Sequence, residues 1–225
     1  MKLVFSGKLD EALQKSGKKV VKVSFDEKEV LCKSENLELR YSVSDKDEIL
    51  LILEMLVDFG YDVAIVEGFE TEYGVKPAKI SAMDELDKIS DIETLRSLIK
   101  KVKAERSEMC GAIGIFIGFV RKIADGKEVI RLEYEAYDEV FDGKLREIEK
   151  RLETYPGVEG VKIFHRRGVL LPGEDIVYVV VMGRHRKHIW EPLSKSMEIV
   201  KEELPVWKKE VYSDGEVWVH DKREY

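Results

Sequence analysis

The sequence is poor in cysteine, in long apolar runs and in excess positive charge. Its two cysteines, Cys32 and Cys110, exclude a disulfide framework and argue against a structural zinc site. No apolar run reaches the roughly 20 residues of a membrane-spanning helix, and the first residues lack the apolar core of a signal peptide. A formal net charge of −7 argues against general nucleic-acid binding. These absences predict a cytoplasmic protein with neither a membrane nor a nucleic acid as partner.

The composition allows a folded core under a well-solvated surface. Hydrophobic residues make up 44% of the chain and charged residues 37%. The length of 225 residues fits one large domain or two small ones. Residues 81–107 are strongly charged, and we predict a linker over their first part, residues 81–90. We therefore predict a small α/β domain over residues 1–90 and a second domain over residues 91–225.

The first 80 residues alternate between strand and helix patterns. The predicted elements are strands over residues 19–25 and 37–43, a helix over residues 46–59, and a buried parallel strand over residues 61–66. Ser44 and Asp45 would cap the helix, and Gly60 would end it. Glu67 follows the last strand at its carboxyl end, where α/β folds place ligand sites. The alternative for Glu67 is a solvated loop carboxylate.

One segment of this first part carries a family resemblance. Residues 62–80 read DVAIVEGFETEYGVKPAKI, which resembles a segment of the accessory GTPase of molybdopterin guanine dinucleotide synthesis. That family opens with a phosphate-binding loop, GxxxxGK[ST], whose backbone cradles phosphates and whose hydroxyl holds Mg²⁺. Here Ser6, Gly7 and Lys8 are followed by Leu9, without the first glycine or the hydroxyl. We expect a degenerate relative that does not hydrolyse GTP.

The second part of the chain contains more strands than helices. The predicted strands cover residues 111–120, 129–137, 161–166, 175–182 and 216–220, and the predicted helices cover residues 92–102 and 142–155, with a third from residue 189. Gly126 and the segment from Leu171 to Glu174 are predicted turns. Because hairpins are expected between these strands, the predicted class is α+β.

Residues 189–209, IWEPLSKSMEIVKEELPVWKK, form the stretch around which the second part is organised. Their apolar positions have helical spacing: Ile189, Trp190, Leu193, Met197, Val200 and Leu204. Pro192 suits the first turn, and Pro205 ends the helix. Lys201 lies at the edge of the apolar stripe, and Lys208 follows Pro205 in a turn expected to be lined by aromatic side chains. The two lysines could share one pocket, or they could snorkel into solvent.

Five segments of the second part together carry a second family resemblance. They read, in this order, GAIGIFIGFVR, LEYEAY, HRRGVLLPGE, GRHRKHIWE and KEELPVWKKE. This order and spacing resemble the large, catalytic subunit of molybdopterin synthase. The resemblance implies an α/β hammerhead fold with a mixed or antiparallel sheet, and a homodimer. It also implies a small ubiquitin-like sulfur carrier, ending in a Gly-Gly thiocarboxylate, bound at each end of a heterotetramer.

The resemblance further implies a reaction and a set of site residues. The enzyme would transfer sulfur from two carriers in turn to cyclic pyranopterin monophosphate (precursor Z), forming the molybdopterin dithiolene without a cofactor or a metal at this step. Lys201 and Lys208 match the family's catalytic lysines, Lys208 also binding substrate. Arg121 matches a substrate-binding arginine, and His185 with Arg186 matches an anion-binding pair reached across the dimer. The family's Ser-x-His-Arg begins here with Gly183, which removes a hydroxyl.

Chemistry makes these residue types intelligible, and other residues receive structural roles. A cyclic phosphate and an anionic carrier tail need a cationic pocket, and a desolvated lysine supplies proton transfer or charge stabilisation. Phe116 and Trp207 are predicted pocket walls, whereas His165 and Cys110 are predicted to be buried structural residues. Arg166 could support the pocket. The alternative function is a non-catalytic adaptor that binds the carrier or other cofactor-maturation enzymes.

Overall fold

The structure is a computed structural model that describes residues 1–26, 28–43, 46–69 and 77–219. The chain divides into two compact units, Met1–Ser97 and Leu98–Tyr225. The first unit includes residues beyond the predicted division at residue 90, because the amino group of Met1 lies 3.2 Å from a carboxylate oxygen of Asp91. The backbone N–H of Ile92 also donates to the carbonyl of Met1. The α+β class is confirmed.

The N-terminal unit is built on one five-stranded sheet. Its elements are β1 Lys2–Phe5, α1 Asp10–Gln14, β2 Val20–Asp26, β3 Glu29–Ser34, β4 Leu37–Ser42, α2 Lys46–Asp58, β5 Val63–Glu67 and a 3-10 helix Met83–Lys88. The strand order is β1-β5-β2-β3-β4. β5 pairs in parallel with β1 and β2, which confirms the predicted buried parallel strand. Helix α3, Leu95–Arg106, begins within the last three residues of this unit and continues into the second unit.

The end of α2 follows the prediction, and two strands do not. Gly60 lies just beyond α2 with a φ of +80°, a conformation that glycine adopts without strain. The predicted cap residues Ser44 and Asp45 lie outside the described residues. β1 and β3 were not predicted from the sequence. β1 is only four residues long, and β3 begins with Glu29 and ends with Lys33 and Ser34, so neither shows a clear apolar alternation.

The C-terminal unit contains two antiparallel sheets and two long helices. After a 3-10 turn at Ser107–Met109, its elements are β6 Ala112–Phe119, β7 Ile123–Ala124, β8 Lys127–Ala136, α4 Asp138–Leu152, β9 Val158–His165, β10 Gly168–Leu170, β11 Asp175–Gly183, a 3-10 helix Arg186–His188, α5 Trp190–Glu203, β12 Val206–Tyr212 and β13 Gly215–Val219. One sheet has the order β6-β11-β9, and the other has the order β10-β8-β12-β13 with β7 paired to β8. The antiparallel pairing agrees with the hairpins expected from the sequence.

A tight turn and an amphipathic helix show how local sequence builds this unit. Asp125 and Gly126 both have positive φ, as a two-residue hairpin between β7 and β8 requires. Helix α4 turns Leu145, Ile148 and Leu152 into the core, as predicted. These leucines and the isoleucine pack with β9, β11 and α5 in one apolar cluster. The core of the unit therefore lies between the three-stranded sheet and the two helices.

Helix α5 buries a slightly different face from the predicted one. Ile189, Val200 and Leu204 are buried as expected, but the side chain of Trp190 is exposed, so its predicted place in the apolar stripe is wrong. The buried residues within α5 are instead Pro192, Ser196 and Val200, which follow one another at i, i+4 spacing on one face of the helix. Ser196 is fully buried, and its hydroxyl is satisfied there because it donates to the carbonyl of Leu193, 2.7 Å away.

Gly114 on β6 allows α5 to approach the sheet closely. A Cβ at this position would overlap Cγ2 of Ile189 and lie 3.2 Å from Cδ2 of Leu193. We expect Gly114→Ala to destabilise the C-terminal unit by about 1–3 kcal/mol, because the helix must move outward. Urea unfolding followed by tryptophan fluorescence measures this, since Trp190, Trp207 and Trp218 all belong to this unit.

The matched control for that substitution is Gly143→Ala in α4. A Cβ at Gly143 would have no neighbour within 4 Å. Alanine in a helix interior is more favourable than glycine by up to about 1 kcal/mol, so this variant should be as stable as the wild type or more so. Equal losses for the two variants would contradict the close approach of α5 at Gly114.

Candidate functional site

The two predicted catalytic lysines lie on either side of the turn between α5 and β12. Lys201 is in the last turn of α5, and its side chain is exposed. Lys208 is the third residue of β12, so the prediction that it lies in a turn is wrong. The strand begins at Val206, directly after Pro205. Of the two lysines, only Lys208 has a largely shielded side chain, with 22% of it exposed. The desolvation expected of Lys201 is not found in the isolated chain.

Lys208 is the first member of a polar row on β12. Because strand side chains alternate, Lys208, Glu210 and Tyr212 share one face of the strand. The ammonium of Lys208 lies 2.6 Å from Oε1 of Glu210. The hydroxyl of Tyr212 donates to the other carboxylate oxygen, Oε2. Glu210 is only 7% exposed, so these two donors hold a buried carboxylate on a strand face that otherwise packs into the core.

The charges around Glu210 keep it ionised. Burial on its own would raise the pKa of Glu210, but the hydrogen bonds from Lys208 and Tyr212 lower it, and the charges of Lys208 and Arg121 add to this effect. The net result is a pKa below the ordinary glutamate value. The hydrogen bond to Glu210, together with burial and the carboxylate charge, raises the pKa of Tyr212 to about 12. The row therefore combines a fixed carboxylate, a neutral hydroxyl and a positioned ammonium.

Arg121 lies close enough to this row to act on it electrostatically. It follows the end of β6 at Phe119, and its side chain is exposed. Its charge lowers the pKa of both Glu210 and Tyr212. The structure thus brings two of the predicted residues, Arg121 and Lys208, to one region. In this region the residues that follow β6 lie near the side chains of β12.

His185 and Arg186 lie at the opposite end of α5 from Lys201. His185 caps the 3-10 helix, where its Nδ1 accepts a hydrogen bond from the backbone N–H of Lys187 at 3.3 Å. Both His185 and Arg186 are exposed. Helix α5 begins only at Trp190, and the eleven steps of about 1.5 Å from there to Lys201 already span about 16 Å, with Arg186 lying before the start of the helix. One protomer therefore does not bring this pair to the lysines.

The predicted wall residues are surface residues of a single chain. Phe116 is 38% exposed on β6, and Trp207 is 50% exposed on β12. Trp207 points away from the row, because it alternates with Lys208 along the strand. Cys110 is half-buried before β6, where burial and the charge of Glu159 raise the pKa of its thiol while Arg184 lowers it. A raised pKa does not favour a reactive thiolate.

His165, the last residue of β9, and the following Arg166 are both buried. The ring of His165 makes edge contacts with Tyr134 and Phe141, and its Nδ1 lies 2.6 Å from the carbonyl oxygen of Arg166, to which it donates. Burial lowers the pKa of His165 to about 4, so its ring is neutral at pH 7. Arg166 pairs with Glu174 at 3.3 Å. These contacts agree with structural roles for both residues.

Sequence reasoning missed Glu210 and Tyr212. The available signal was the alternation of Lys208, Glu210 and Tyr212 at every second position, which a strand would place on one face. This alternation was not recognised, because charged residues at the inward positions are not typical of a buried strand. Among the residues that the structure describes, no group of three or more histidine, cysteine or acidic side chains is arranged to hold a metal ion.

The loop after β1 in the N-terminal unit holds a carboxylate of its own chain. Asp10 accepts hydrogen bonds from the hydroxyl of Ser6 at 2.6 Å and from the backbone N–H of Gly7 at 2.8 Å. Lys22 lies 3.5 Å from the same carboxylate, and Glu67 lies 2.8 Å from the Ser6 hydroxyl. Burial opposes ionisation of Asp10, but these hydrogen bonds and Lys22 give it a lowered pKa. The loop donors thus face an internal carboxylate.

No helix in the described ranges of the chain is long and apolar enough to span a membrane.

Comparison with known proteins gives a consistent set of relatives. The family described as MoaE protein matches residues 89–203, about half of the chain. A molybdopterin synthase catalytic subunit from Bacillus subtilis is 40% identical over 128 residues, which cover 57% of this chain and 80% of the relative. A crystal structure of molybdopterin synthase from Staphylococcus aureus has 33% identity and a TM-score of 0.50, covering 54% of this chain and 88% of that one.

A further relative extends the similarity toward the N-terminus. A probable molybdopterin synthase from Haloferax volcanii is 37% identical over 167 residues, which cover 72% of this chain. Residues 89–225 make up less than two thirds of the chain, so this match reaches into the N-terminal unit. The chain spans 63% of the length of that relative. The chain belongs to the MoaE protein family, and its relatives include molybdopterin synthase catalytic subunits.

Proposed function

We propose that this chain transfers sulfur from a thiocarboxylated carrier protein to precursor Z, forming the molybdopterin dithiolene. In each transfer the carrier sulfur forms a bond to a substrate carbon while a carbon–oxygen bond of the substrate breaks, and that oxygen leaves as water or on the phosphate. Water then cleaves the bond between the transferred sulfur and the carrier's carbonyl carbon, so that the carrier leaves as a carboxylate. The observation that carries the proposal is the ammonium of Lys208, held 2.6 Å from a buried carboxylate with the charge of Arg121 nearby. This arrangement, in a member of a synthase family, suits two anionic reactants.

The two lysines have different proposed roles because their surroundings differ. Lys201 is exposed in the last turn of α5, so it is free to meet the carrier terminus and the substrate, where it acts as acid, base or charge stabiliser. Lys208 is fixed by Glu210 and contributes substrate binding and electrostatic support. Arg121, whose planar guanidinium suits phosphate, binds the substrate phosphate or pterin.

The proposed assembly is a homodimer with one small ubiquitin-like carrier at each end. Strand β6 supports the dimer: it is an edge strand within the described sheet, and Ile115, Phe116, Ile117 and Phe119 are all at least 38% exposed. In such a dimer, His185 and Arg186 of the partner would supply the anion-binding groups that, within one protomer, lie at the other end of α5 from Lys201. Phe116 and Trp207 would gain the role of walls only in the assembly.

The N-terminal unit is proposed to be a degenerate relative of the accessory GTPase that does not hydrolyse GTP. The support is the loop after β1, where Ser6, Gly7 and Lys22 face Asp10 rather than an open anion site.

A cytoplasmic location is part of the same proposal. Its support is the low cysteine content, since the chain has only Cys32 and Cys110, as is typical of proteins in a reducing compartment.

The test of the function is product formation by the full chain. Purified protein is mixed with precursor Z and thiocarboxylated carrier, and molybdopterin is measured as its fluorescent oxidation product. The matched control uses the same carrier with an ordinary carboxylate. We expect product only with the thiocarboxylate. A folded protein that binds the carrier and forms no product would favour the adaptor function instead.

A further inference from the structure

The hydroxyl of Tyr212 has no role in the reaction described above, although it contacts the residue that holds Lys208. Its oxygen donates to Oε2 of Glu210, while Lys208 contacts Oε1 of the same carboxylate. Each carboxylate oxygen of Glu210 therefore has its own donor. Because Glu210 is buried, either oxygen left without a donor would lose its hydrogen bond with no compensation from bulk water.

The ring of Tyr212 is fixed by its surroundings. It is 9% exposed and packs in an apolar cluster that includes Val120, Leu132 and Leu170. The ammonium of Lys127 lies 5.7 Å from the ring centroid and is itself paired with Asp214 at 2.8 Å. A ring held on several sides directs its hydroxyl to one place. Tyr212 can therefore fix the rotation of the Glu210 carboxylate, as a freely moving donor could not.

We propose that Tyr212 is a positioning residue that sets the place of the Lys208 ammonium through Glu210. With the hydroxyl present, the carboxylate is oriented so that Oε1 faces Lys208. Without it, the carboxylate turns to recover a donor for Oε2, and Lys208 loses its fixed partner. Arg121 and Asp125 also act electrostatically on this group, Arg121 on both Glu210 and Tyr212 and Asp125 on Tyr212. Neither supplies the hydroxyl's contact to Oε2.

The first arm of the test measures Lys208 without any substrate. Full-length wild type and Tyr212→Phe are treated briefly with acetic anhydride, and acetylation of Lys208 is compared with that of the exposed Lys201 by mass spectrometry. We expect the ratio of Lys208 to Lys201 to rise at least about threefold in Tyr212→Phe, because an ammonium released from its carboxylate is more accessible. The ratio is internal to each sample, so differences in reagent or protein amount cancel.

Two further variants decide between positioning and general loosening. Tyr178→Phe is the matched control, since the Tyr178 hydroxyl also donates to a carboxylate, that of Asp175 at 2.7 Å. It should leave the ratio unchanged. Adding Tyr212→Phe to Glu210→Gln should change nothing further, because Tyr212 acts only through Glu210. An unchanged ratio in Tyr212→Phe, an equal rise in Tyr178→Phe, or additive effects with Glu210→Gln would each overturn the inference.

The second arm rests on the proposed function. In the synthase assay Tyr212→Phe should lower kcat about tenfold while KM for precursor Z stays within about twofold, because the hydroxyl orients a residue and does not itself bind substrate. A rise in KM with kcat unchanged would contradict a positioning role. If the wild type formed no product, the proposed function would fail, whereas the acetylation result would still decide whether Tyr212 positions Lys208.

Discussion

Replacing Lys208 by alanine is expected to destabilise the C-terminal unit by about 3 kcal/mol at pH 8, because it leaves the buried Glu210 carboxylate without its cation. The loss should shrink as the pH falls. In the wild type the lowered pKa of Glu210 contributes stability above the unfolded value of 4.5, and this contribution is lost as the pH falls through the folded pKa. In the variant, burial instead favours protonation, so the penalty grows as the pH rises above about 4.5.

Urea unfolding of wild type and Lys208→Ala at pH 5 and pH 8, followed by tryptophan fluorescence, measures this effect. The double variant Lys208→Ala/Glu210→Gln is the control, because a neutral amide needs no cation. The double variant should recover most of the stability that Lys208→Ala loses at pH 8, and its remaining penalty should no longer grow as the pH rises. Equal losses at both pH values, with no recovery in the double variant, would show that Lys208 stabilises the unit by packing alone.

Replacing Lys201 by alanine is expected to have the opposite profile, with a large loss of activity and little loss of stability. Because Lys201 is exposed, its removal should change the free energy of unfolding by no more than about 0.5 kcal/mol. If it acts as acid, base or charge stabiliser at the reacting sulfur, kcat should fall about 100-fold or more. Steady-state kinetics with precursor Z and thiocarboxylated carrier, beside urea unfolding, separates the two effects.

Lys195→Ala is the matched control for this variant. Lys195 lies on the same helix, is half exposed and pairs with Glu198 at 2.7 Å. Its replacement should leave both kcat and stability near the wild-type values, because surface ion pairs contribute little. If both variants were equally active, the proposed role of Lys201 would be wrong, and the essential chemistry would have to lie elsewhere, with Lys208 the next residue to examine.

Long amphipathic elements could be predicted from the sequence, and short or charged strands could not. Helix α4 could be predicted because its inward residues Leu145, Ile148 and Leu152 repeat at helical spacing. β12 was missed because Lys208 and Glu210 occupy inward positions, where their mutual pairing and the Tyr212 hydroxyl make burial tolerable. Pairing across a strand face is a property of the folded sheet. For the same reason, the share of Tyr212 in the site could not be found from sequence.

The site residues divide in a similar way. The family motifs placed Lys201, Lys208 and Arg121 on the chain, and the structure brings Arg121 and Lys208 to one region. The distance between Arg186 and Lys201 follows from the length of α5, which the sequence predicts, but its consequence depends on a second protomer. The exposure of Trp190 could not be predicted, because the face that α5 buries depends on tertiary contacts such as those of Ile189 and Leu193 with Gly114.

The most direct test of the central claim follows the sulfur itself. The carrier is prepared with a ³⁴S thiocarboxylate and mixed with precursor Z and the full chain in excess, and the molybdopterin formed in one turnover is analysed by mass spectrometry. Sulfur transfer by this chain predicts that both sulfurs of the dithiolene carry the label. Unlabelled product, or no product from a folded protein that binds both reactants, would contradict the assignment of this chain as the enzyme that transfers the sulfur.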